Sequence, residues 1–479
     1  MSEIEVKFQV PDAAREGLRL AVATASARSV RLRASYADTA DGRLAAAGFA
    51  LRLREEDARR VQTLKGRGAG LIERFEHEVE LAPGTGPASI DPARHAGTPG
   101  GEALGALLAD GAPLVEGYRT EIQRLTRRVR SGGATIELAL DEGRITAAGR
   151  VLAVFEIEFE LVAGAPAALV AFAARWAERH GLWLDIRTKS ERGQRLALGL
   201  ERVAPVKASA LAWPSPATPA AVCAAALQSA LAQVLPNAAE VAGASAEAEH
   251  LHQLRVGLRR LRTALRLFGP WSGDPPAVRD LEQAWREPFA RLGGARDSDV
   301  LAALPGLPLL PPAPEEAQVD AGEIVRGAAF TLLTLRSLAL ALAALPALEE
   351  PLAEVAPPLL RRAWKRVVAA GAAFAESTPE ARHLLRKRLK RLRYASEFLL
   401  PMLPEKPARA ALEAMRVALD VLGAYNDLVV AETRCRALGE NDPKVAFALG
   451  WLAANRERLE ARAAARLARL AEVPRFWRV

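Results

Sequence analysis

From Glu3 to Val10 the chain places a polar or charged side chain at every odd position and an apolar one at every even position. Successive side chains of a strand point to opposite faces, so a strict period of two marks a strand with one charged and one apolar face. The pattern returns at residues 75–81, where only His77 interrupts the apolar side, and at 155–161, 51–54 and 136–141. Gly- and Pro-rich breaks at 82–86 and 97–101 separate such stretches. The charges are sorted by strand. Carboxylates dominate three strands, as Glu3 and Glu5, Glu76 and Glu78, and Glu156 and Glu158. Cations sit elsewhere, as Arg52 and Arg54, Lys65 after Thr63, and Lys7 beside its own two glutamates. One such strand is an ordinary solvated face. Several in one domain can close with their charged faces inward, giving a polar tunnel whose apolar faces pack outward against helices. That inverts the filled small barrel. Buried charges on this scale are costly unless they pair or hold ions.

Beyond about residue 205 the period changes to that of helices, and the composition turns to Ala, Leu and Arg. The stretch 204–219, with Pro205, Pro214, Pro216 and Pro219, reads as a linker. A second Pro-rich break at 305–314 reads as a loop inside the helical half. The expected domains are therefore 1–203, the linker 204–219, and 220–479. With 479 residues, 50% hydrophobic and 25% charged, the chain can bury the cores of two or three domains. Its net charge of +8 is uneven: residues 1–205 carry 29 Lys and Arg against 28 Asp and Glu, and the rest carry 36 against 29. A basic excess in the helical half suggests a polyanionic partner there. Two cysteines, Cys223 and Cys435, cannot form a disulfide framework, and the N-terminus has no signal-like apolar core. The most apolar run, 337–348, is too short to span a bilayer. The expectation is a cytoplasmic protein with no membrane partner.

A tunnel with both signs of charge suits phosphoryl transfer. Arg forks and Lys ammoniums cradle phosphate oxygens, and adjacent carboxylates can hold Mg2+ or Mn2+. Here the sequence becomes specific. Glu3-x-Glu5-x-Lys7 is followed in order by Tyr36-Ala-Asp38-Thr39, Arg52-Leu-Arg54, Thr63-Leu-Lys65, Arg74-x-Glu76-x-Glu78, Arg124, Glu137 through Asp141-x-Gly143, Glu156-Ile-Glu158 and Lys189-x-x-Arg192-Gly193. This ordered series resembles the CYTH, or triphosphate tunnel metalloenzyme, family over roughly the first 200 residues. Ala37 stands where the family's Tyr-Phe-Asp-Thr stretch has Phe. The resemblance implies that Glu3, Glu5, Asp141, Glu156 and Glu158 bind metal or position water. It implies that Lys7, Arg52, Arg54, Lys65, Arg124 and Lys189 grip phosphates, with Glu5, Lys7, Glu158 and Lys189 as the catalytic set. Glu76, Glu78 and Glu137 would lie in the tunnel, Arg192 would be structural, and His77 would pack on the apolar face. The family includes inorganic triphosphatases, thiamine triphosphatases and adenylyl cyclases. Most aromatic residues near the motifs alternate outward, leaving no evident cluster to stack a thiazole or adenine, so inorganic triphosphate leads.

The helical half repeats itself. His252, Arg255, Arg259, Arg262 and Arg266 form one helical stripe beside a core stripe of Leu254, Leu258, Leu261, Leu265 and Phe268. His383, Arg386, Lys390 and Arg393 occupy the same places in a second copy. Like charges four residues apart destabilise a helix, and a polyanion would relieve them. Together with Arg296-Asp297, Asp299-Val300 and Asn426-Asp427, these segments resemble the CHAD domain over about 215–475. The resemblance implies two pseudo-symmetric four-helix bundles whose basic helices bind inorganic polyphosphate. Arg361, Arg362, Lys365 and Arg366 add a further basic cluster. Nucleic acid is the rival ligand, but single-strand readers interleave aromatics with cations, and only Trp364 and Tyr394 lie nearby.

The expected fold is therefore multidomain α+β: an N-terminal antiparallel β-barrel tunnel with flanking helices, then an all-α domain. The expected activity is Mg2+- or Mn2+-dependent hydrolysis of inorganic triphosphate to diphosphate and phosphate, with the helical domain holding the protein near polyphosphate, as at polyphosphate granules. Two alternatives stay open: a polyphosphate-binding scaffold without turnover, and a hydrolase or cyclase acting on thiamine triphosphate or ATP.

Overall fold

A computed structural model of the chain describes residues 2–57, 59–68, 70–82, 89–213, 217–271, 274–293, 320–343, 352–437 and 443–477. Arg296, Asp297, Asp299, Val300 and the Pro-rich break at 305–314 lie outside these residues. By backbone contacts the chain divides into two compact units. The first holds Met1–Val206 together with Leu235–His250 and Gly322–Ala343, so two stretches of the helical half belong with the barrel.

The first unit is built from β1 (Ser2–Gln9), α1 (Arg15–Val22), β2 (Arg28–Thr39), α2 (Arg43–Ala46), β3 (Ala50–Glu56), β4 (Arg59–Arg67), β5 (Glu73–Leu81), α3 (Pro99–Leu107), β6 (Leu114–Ser131), β7 (Ala134–Ala147), β8 (Arg150–Ala163), α4 (Pro166–His180), the short β9 (Trp183–Leu184) and α5 (Lys189–Leu198). The strands run β5-β4-β3-β2-β6-β7-β8-β1, every pairing is antiparallel, and β1 also pairs with β5. Eight strands thus close into a barrel, and β9 hangs on β1. Closure leaves no open edge among the eight. The alternation works as the sequence implies. Val6, Phe8, Ile157 and Phe159 are buried on the outer face, where Phe159 meets Phe8 at 5.7 Å and Phe172 of α4 at 5.5 Å between ring centres. The register brings the inward charges level with one another. Arg124 lies opposite Asp141, Asp141 opposite Glu156, Lys7 opposite Glu158, and Lys65 opposite Glu76.

Helix α5 plugs one end. Its Leu196 and Ala197 pack on inward residues of the barrel, among them Leu32, Tyr36, Tyr118, Ile145 and Val154. The helix starts with a capping box, in which Thr188 Oγ1 accepts from the Glu191 amide and the Glu191 carboxylate accepts from the Thr188 amide. It ends on Gly199 at φ 65°, a left-handed cap that suits glycine. Gly193 faces the Tyr118 ring so closely that a Cβ there would lie 2.3 Å from it.

The remaining elements are α6 (Pro219–Ala242), α7 (Ala248–Phe268), α8 (Pro275–Ala284), α9 (Ala321–Arg326), α10 (Ala328–Leu342), α11 (Leu352–Ala372), α12 (Pro379–Leu399), α13 (Glu405–Ala437) and α14 (Pro443–Ala471). Within the first unit, α10 packs on α4. Helix α6 is long and apolar enough to cross a bilayer by length and composition, but 61% of its most apolar window is buried in the protein, as in a core helix. In the second unit Leu254, Leu258, Leu261, Leu265 and Phe268 of α7 are buried, as are Leu385, Leu389 and Leu392 at the matching face of α12.

The plug supplies a first test. Gly193→Ala should destabilise the barrel by about 1–3 kcal/mol in denaturant unfolding, because the Tyr118 ring must shift to admit one methyl. An unchanged unfolding midpoint would show that α5 does not fill the barrel end as described.

Candidate active site: a charged tunnel

The barrel encloses a cavity of about 840 Å3 lined by charges from seven strands and by the start of α5. Three carboxylates gather at one level. Asp141, Glu156 and Glu158 each offer an oxygen within 4.8 Å of the others. Asp141 and Glu156 are fully buried, and Glu158 is nearly so. Cations hold them. Lys189 Nζ lies 2.5 Å from Asp141, 2.5 Å from Glu156 and 2.9 Å from Glu158. Arg124 forks onto Asp141 with two bonds of 2.6 Å and reaches Glu158 at 2.7 Å. Arg192 donates to Glu156 from the next turn of α5. Burial alone would lower the Lys189 pKa, but the three carboxylates outweigh it and hold the ammonium above its usual range. Burial would raise the Glu158 pKa, yet Lys189, Arg124 and Lys7 pull it well below the carboxylate range. Lys7 is buried, and burial pushes its pKa down despite Glu156 and Glu158. Its ammonium donates to the Arg187 carbonyl.

Glu3 and Glu5 stand apart from this trio on the wall shared by β1 and β5. Lys65 Nζ bridges Glu3 and Glu76 at 2.9 Å each, and Arg74 pairs with Glu5 at 2.8 Å. Burial, with Glu76 and Glu5 close by and only Lys65 opposing, pushes the Glu3 carboxyl up to about 8, while Lys65 and Arg52 hold Glu76 low against its own burial. On β3, Arg52 donates to the Tyr36 hydroxyl at 3.3 Å and lies 3.7 Å from Glu76. Arg54 pairs with Glu78 at 3.0 Å and with Glu56. The Nε atoms of Arg52 and Arg54 are buried without a hydrogen-bond partner among the described residues. Each is a donor waiting for an acceptor.

The tunnel thus brings together Asp141, Glu156, Glu158, Arg124, Lys7 and Lys189, sets Glu3 and Glu5 beside them on β1, and places Lys65, Arg52 and Arg54 on β3 and β4 across the barrel. Glu137, expected in the tunnel, lines the cavity and pairs with Arg128 at 2.7 Å. His77 faces outward as expected and lies 2.8 Å from His95, ring nitrogen to ring nitrogen. Sequence reasoning missed two inward aromatics. Tyr36 and Tyr118 stack at 4.5 Å on the tunnel wall. They share an inward face with Leu32, Ala34 and Ile122, and an apolar inner face looks in the sequence like an outward one. It also missed Arg74 as the partner of Glu5 and Asp185 as the anchor of Arg187. Asp185 lies in an irregular segment with no period to expose it.

The trio fits a hard divalent cation: all donors are carboxylate oxygens, close enough together to share one ion. Fewer than three cations there would leave buried negative charge uncompensated.

In the helical unit the basic stripes are half-buried and organised by acidic and aromatic partners. Glu282 accepts from Arg262 at 2.8 Å and Arg266 at 2.5 Å. The guanidiniums of Arg255, Arg259 and Arg262 lie 5.0–5.5 Å from the Phe289 ring centre. Arg386 and Lys390 lie half-buried on the second stripe, and Arg393 pairs with Glu397 at 3.0 Å. His383 pairs with Asn426 at 2.9 Å, and His252 opens the first stripe, half-buried. Arg391 of α12, one residue past Lys390, feels the first stripe: burial first, then Arg266 and Arg262, lower its pKa against the pull of Glu282.

Comparison with known proteins agrees with this layout. A CYTH domain family model matches residues 1–196, and a CHAD domain family model matches residues 225–436. A crystal structure of the CHAD domain from the plant Ricinus communis is 30% identical, the match covering 55% of this chain and 96% of that one with a TM-score of 0.48. A Hippeastrum protein described as an adenylyl cyclase candidate with a dominant triphosphatase activity is 23% identical over 42% of this chain and 98% of its own, at TM-score 0.29. A Bacillus halodurans protein described as an adenylate cyclase candidate is 22% identical over 40% and 96%, at TM-score 0.29.

Removing Lys189 should expose the trio's charge. Lys189→Met should destabilise the barrel by about 3–5 kcal/mol, the cost of stranding buried carboxylates. Millimolar Mg2+ or Mn2+ should restore most of the lost thermal stability of this variant. Failure of either ion to raise its Tm would show that the trio does not take a divalent cation.

Proposed function

This chain belongs to the CYTH family through residues 1–196 and to the CHAD family through residues 225–436, and from that premise we propose that it hydrolyses inorganic triphosphate to diphosphate and phosphate with Mg2+ or Mn2+. CYTH proteins are triphosphate-tunnel hydrolases and cyclases. The observation that carries the reading is the pairing of two charge sets around one cavity: a carboxylate trio beside phosphate-gripping cations with buried unused donors. A protein that merely bound a polyanion would gain nothing from three buried carboxylates.

The residues divide the work. Arg52, Arg54 and Lys65 take the phosphate chain along one wall, exchanging their present carboxylate partners for phosphate oxygens. Arg124 and Lys189 stand over the trio, where the reacting phosphorus would sit, and meet the charge that builds on its oxygens. Lys7 adds a third cation at that end. Asp141, Glu156 and Glu158 would hold the divalent ion, with Glu3 and Glu5 on the neighbouring strand β1. When bound, that ion neutralises phosphoryl oxygens and lowers the pKa of a coordinated water. Attack of water on a terminal phosphorus breaks its bond to the bridging oxygen, and diphosphate leaves.

We assign the CHAD domain to inorganic polyphosphate, gripped by His252, Arg255, Arg259, Arg262 and Arg266 of α7 and His383, Arg386, Lys390 and Arg393 of α12. Support comes from Arg391 of α12 sensing Arg262 and Arg266 of α7, and from the excess of cations in this half. Docking there would raise the local concentration of substrate for the tunnel, and a place in the cytoplasm beside polyphosphate granules goes with this reading.

The test is phosphate release from tripolyphosphate, ATP and thiamine triphosphate by the full chain. Tripolyphosphate should be turned over fastest. Glu158→Gln should lower turnover at least about a hundredfold, as loss of a transition-state group does, while polyphosphate binding stays. Preference for ATP would replace the inorganic substrate with a nucleotide, and retention of turnover by Glu158→Gln would remove the trio from the chemistry. Polyphosphate affinity should fall steeply with salt, as expected when many cations neutralise one polyanion.

A further inference from the structure

Glu240 lies near the end of α6, in the stretch Leu235–His250 that belongs to the barrel's compact unit. It is 3% exposed, and the tunnel chemistry does not use it. Arg195 Nη1 donates to its Oε1 at 2.7 Å, Ser245 Oγ donates to its Oε2 at 2.6 Å, and Arg187 Nη1 lies 3.9 Å from Oε1. These two arginines bracket the plug. Arg187 precedes α5 by two residues, and Arg195 stands in its last turn. The end of α6 also comes down onto Arg187, since a Cβ on Gly243 would lie 2.6 Å from its Nη1.

Arg187 is tied to the tunnel from the other side. Its Nε and Nη2 fork onto fully buried Asp185 at 2.9 Å each, and its carbonyl accepts from Lys7. Gln9 reaches from Asp185 at 3.2 Å to Glu156 at 3.3 Å. Two residues after Arg187, Lys189 must hold three carboxylates within 2.5–2.9 Å. A chain of polar contacts therefore runs from Glu240 to Arg187, then by the Arg187 carbonyl to Lys7 and by Asp185, Gln9 and Glu156 to Lys189, while Arg195 ties Glu240 to the last turn of the helix that carries Lys189. A buried carboxylate and its arginines move together, because separating them strands charge away from water.

We propose that Glu240 is a positioning residue for the tunnel, a carboxylate supplied from the CHAD-matched span that clamps the plug helix at both ends and so sets Lys189 and Lys7 for phosphate. Its kinetic consequence rests on the triphosphatase reading above; its structural consequence does not.

The test uses the full chain with Glu240→Ala and Glu240→Gln. Amide hydrogen exchange should rise by about tenfold or more in residues 189–198 of Glu240→Ala, with β6, β7 and β8 unchanged, because only the plug is released. The kcat for tripolyphosphate should fall about tenfold to a hundredfold with KM changed far less, as when groups that meet transition-state charge are misplaced. Glu240→Gln keeps an acceptor for Arg195 and should show a smaller change in the same direction. Unchanged exchange in 189–198, or exchange that rises equally in the barrel strands, overturns the clamp. An unchanged kcat in an enzyme that does turn over tripolyphosphate overturns the positioning role. Should Glu240→Ala fail to fold, Glu240→Gln is judged by the same criteria. Should the wild-type chain release no phosphate, the triphosphatase reading fails and the exchange data alone decide the clamp.

Discussion

The first unit depends on burying charge against charge. An eight-stranded barrel ordinarily fills its interior with apolar side chains. Apart from the apolar end that α5 covers, this one turns its apolar residues outward and keeps carboxylates, guanidiniums and ammoniums inside. Each buried ion carries a desolvation cost of several kcal/mol on the order expected for real interiors. The interior is tolerable only because every carboxylate of the trio touches at least one cation. That balance is also what a phosphate chain with a divalent ion would replace, anion for carboxylate and metal for ammonium. On the proposed reading, structure and chemistry would use the same contacts.

The outer layers keep this interior in register. Phe8 and Phe159 press the barrel against α4, and α10 packs on α4 in turn. Helix α5 closes one end and carries Lys189 to the trio. The preference of Thr188 and Glu191 for a helix start fixes where α5 begins, and hence where Lys189 stands. A lysine on a long flexible stem reaches three carboxylates only from a fixed base.

Much of this was legible in the sequence. Period-two alternation marked the strands, and the same parity that buried Phe8 sent Glu5 and Lys7 inward. The motif order then placed Arg52, Arg124, Asp141 and Lys189 in one domain. The pairings were not legible, because register decides them: Arg74 meets Glu5 through the closure of β5 on β1, which no local pattern encodes. Tyr36 and Tyr118 were missed because their inward face is apolar here, shared with Leu32, Ala34 and Ile122, and Asp185 and Arg187 because an irregular loop has no period. In the helical half, the apolar stripe of α7 predicted its buried face residue by residue. The grouping of Leu235–His250 and Gly322–Ala343 with the barrel has no local signal in the sequence, since an amphipathic helix does not name the surface that covers it.

The most direct measurement is anomalous diffraction from crystals of the full chain grown with Mn2+ and tripolyphosphate. The account predicts a manganese peak held by Asp141, Glu156 and Glu158, with the phosphate chain running past Arg124 toward Arg52 and Arg54. Manganese and tripolyphosphate found only outside the barrel would contradict it.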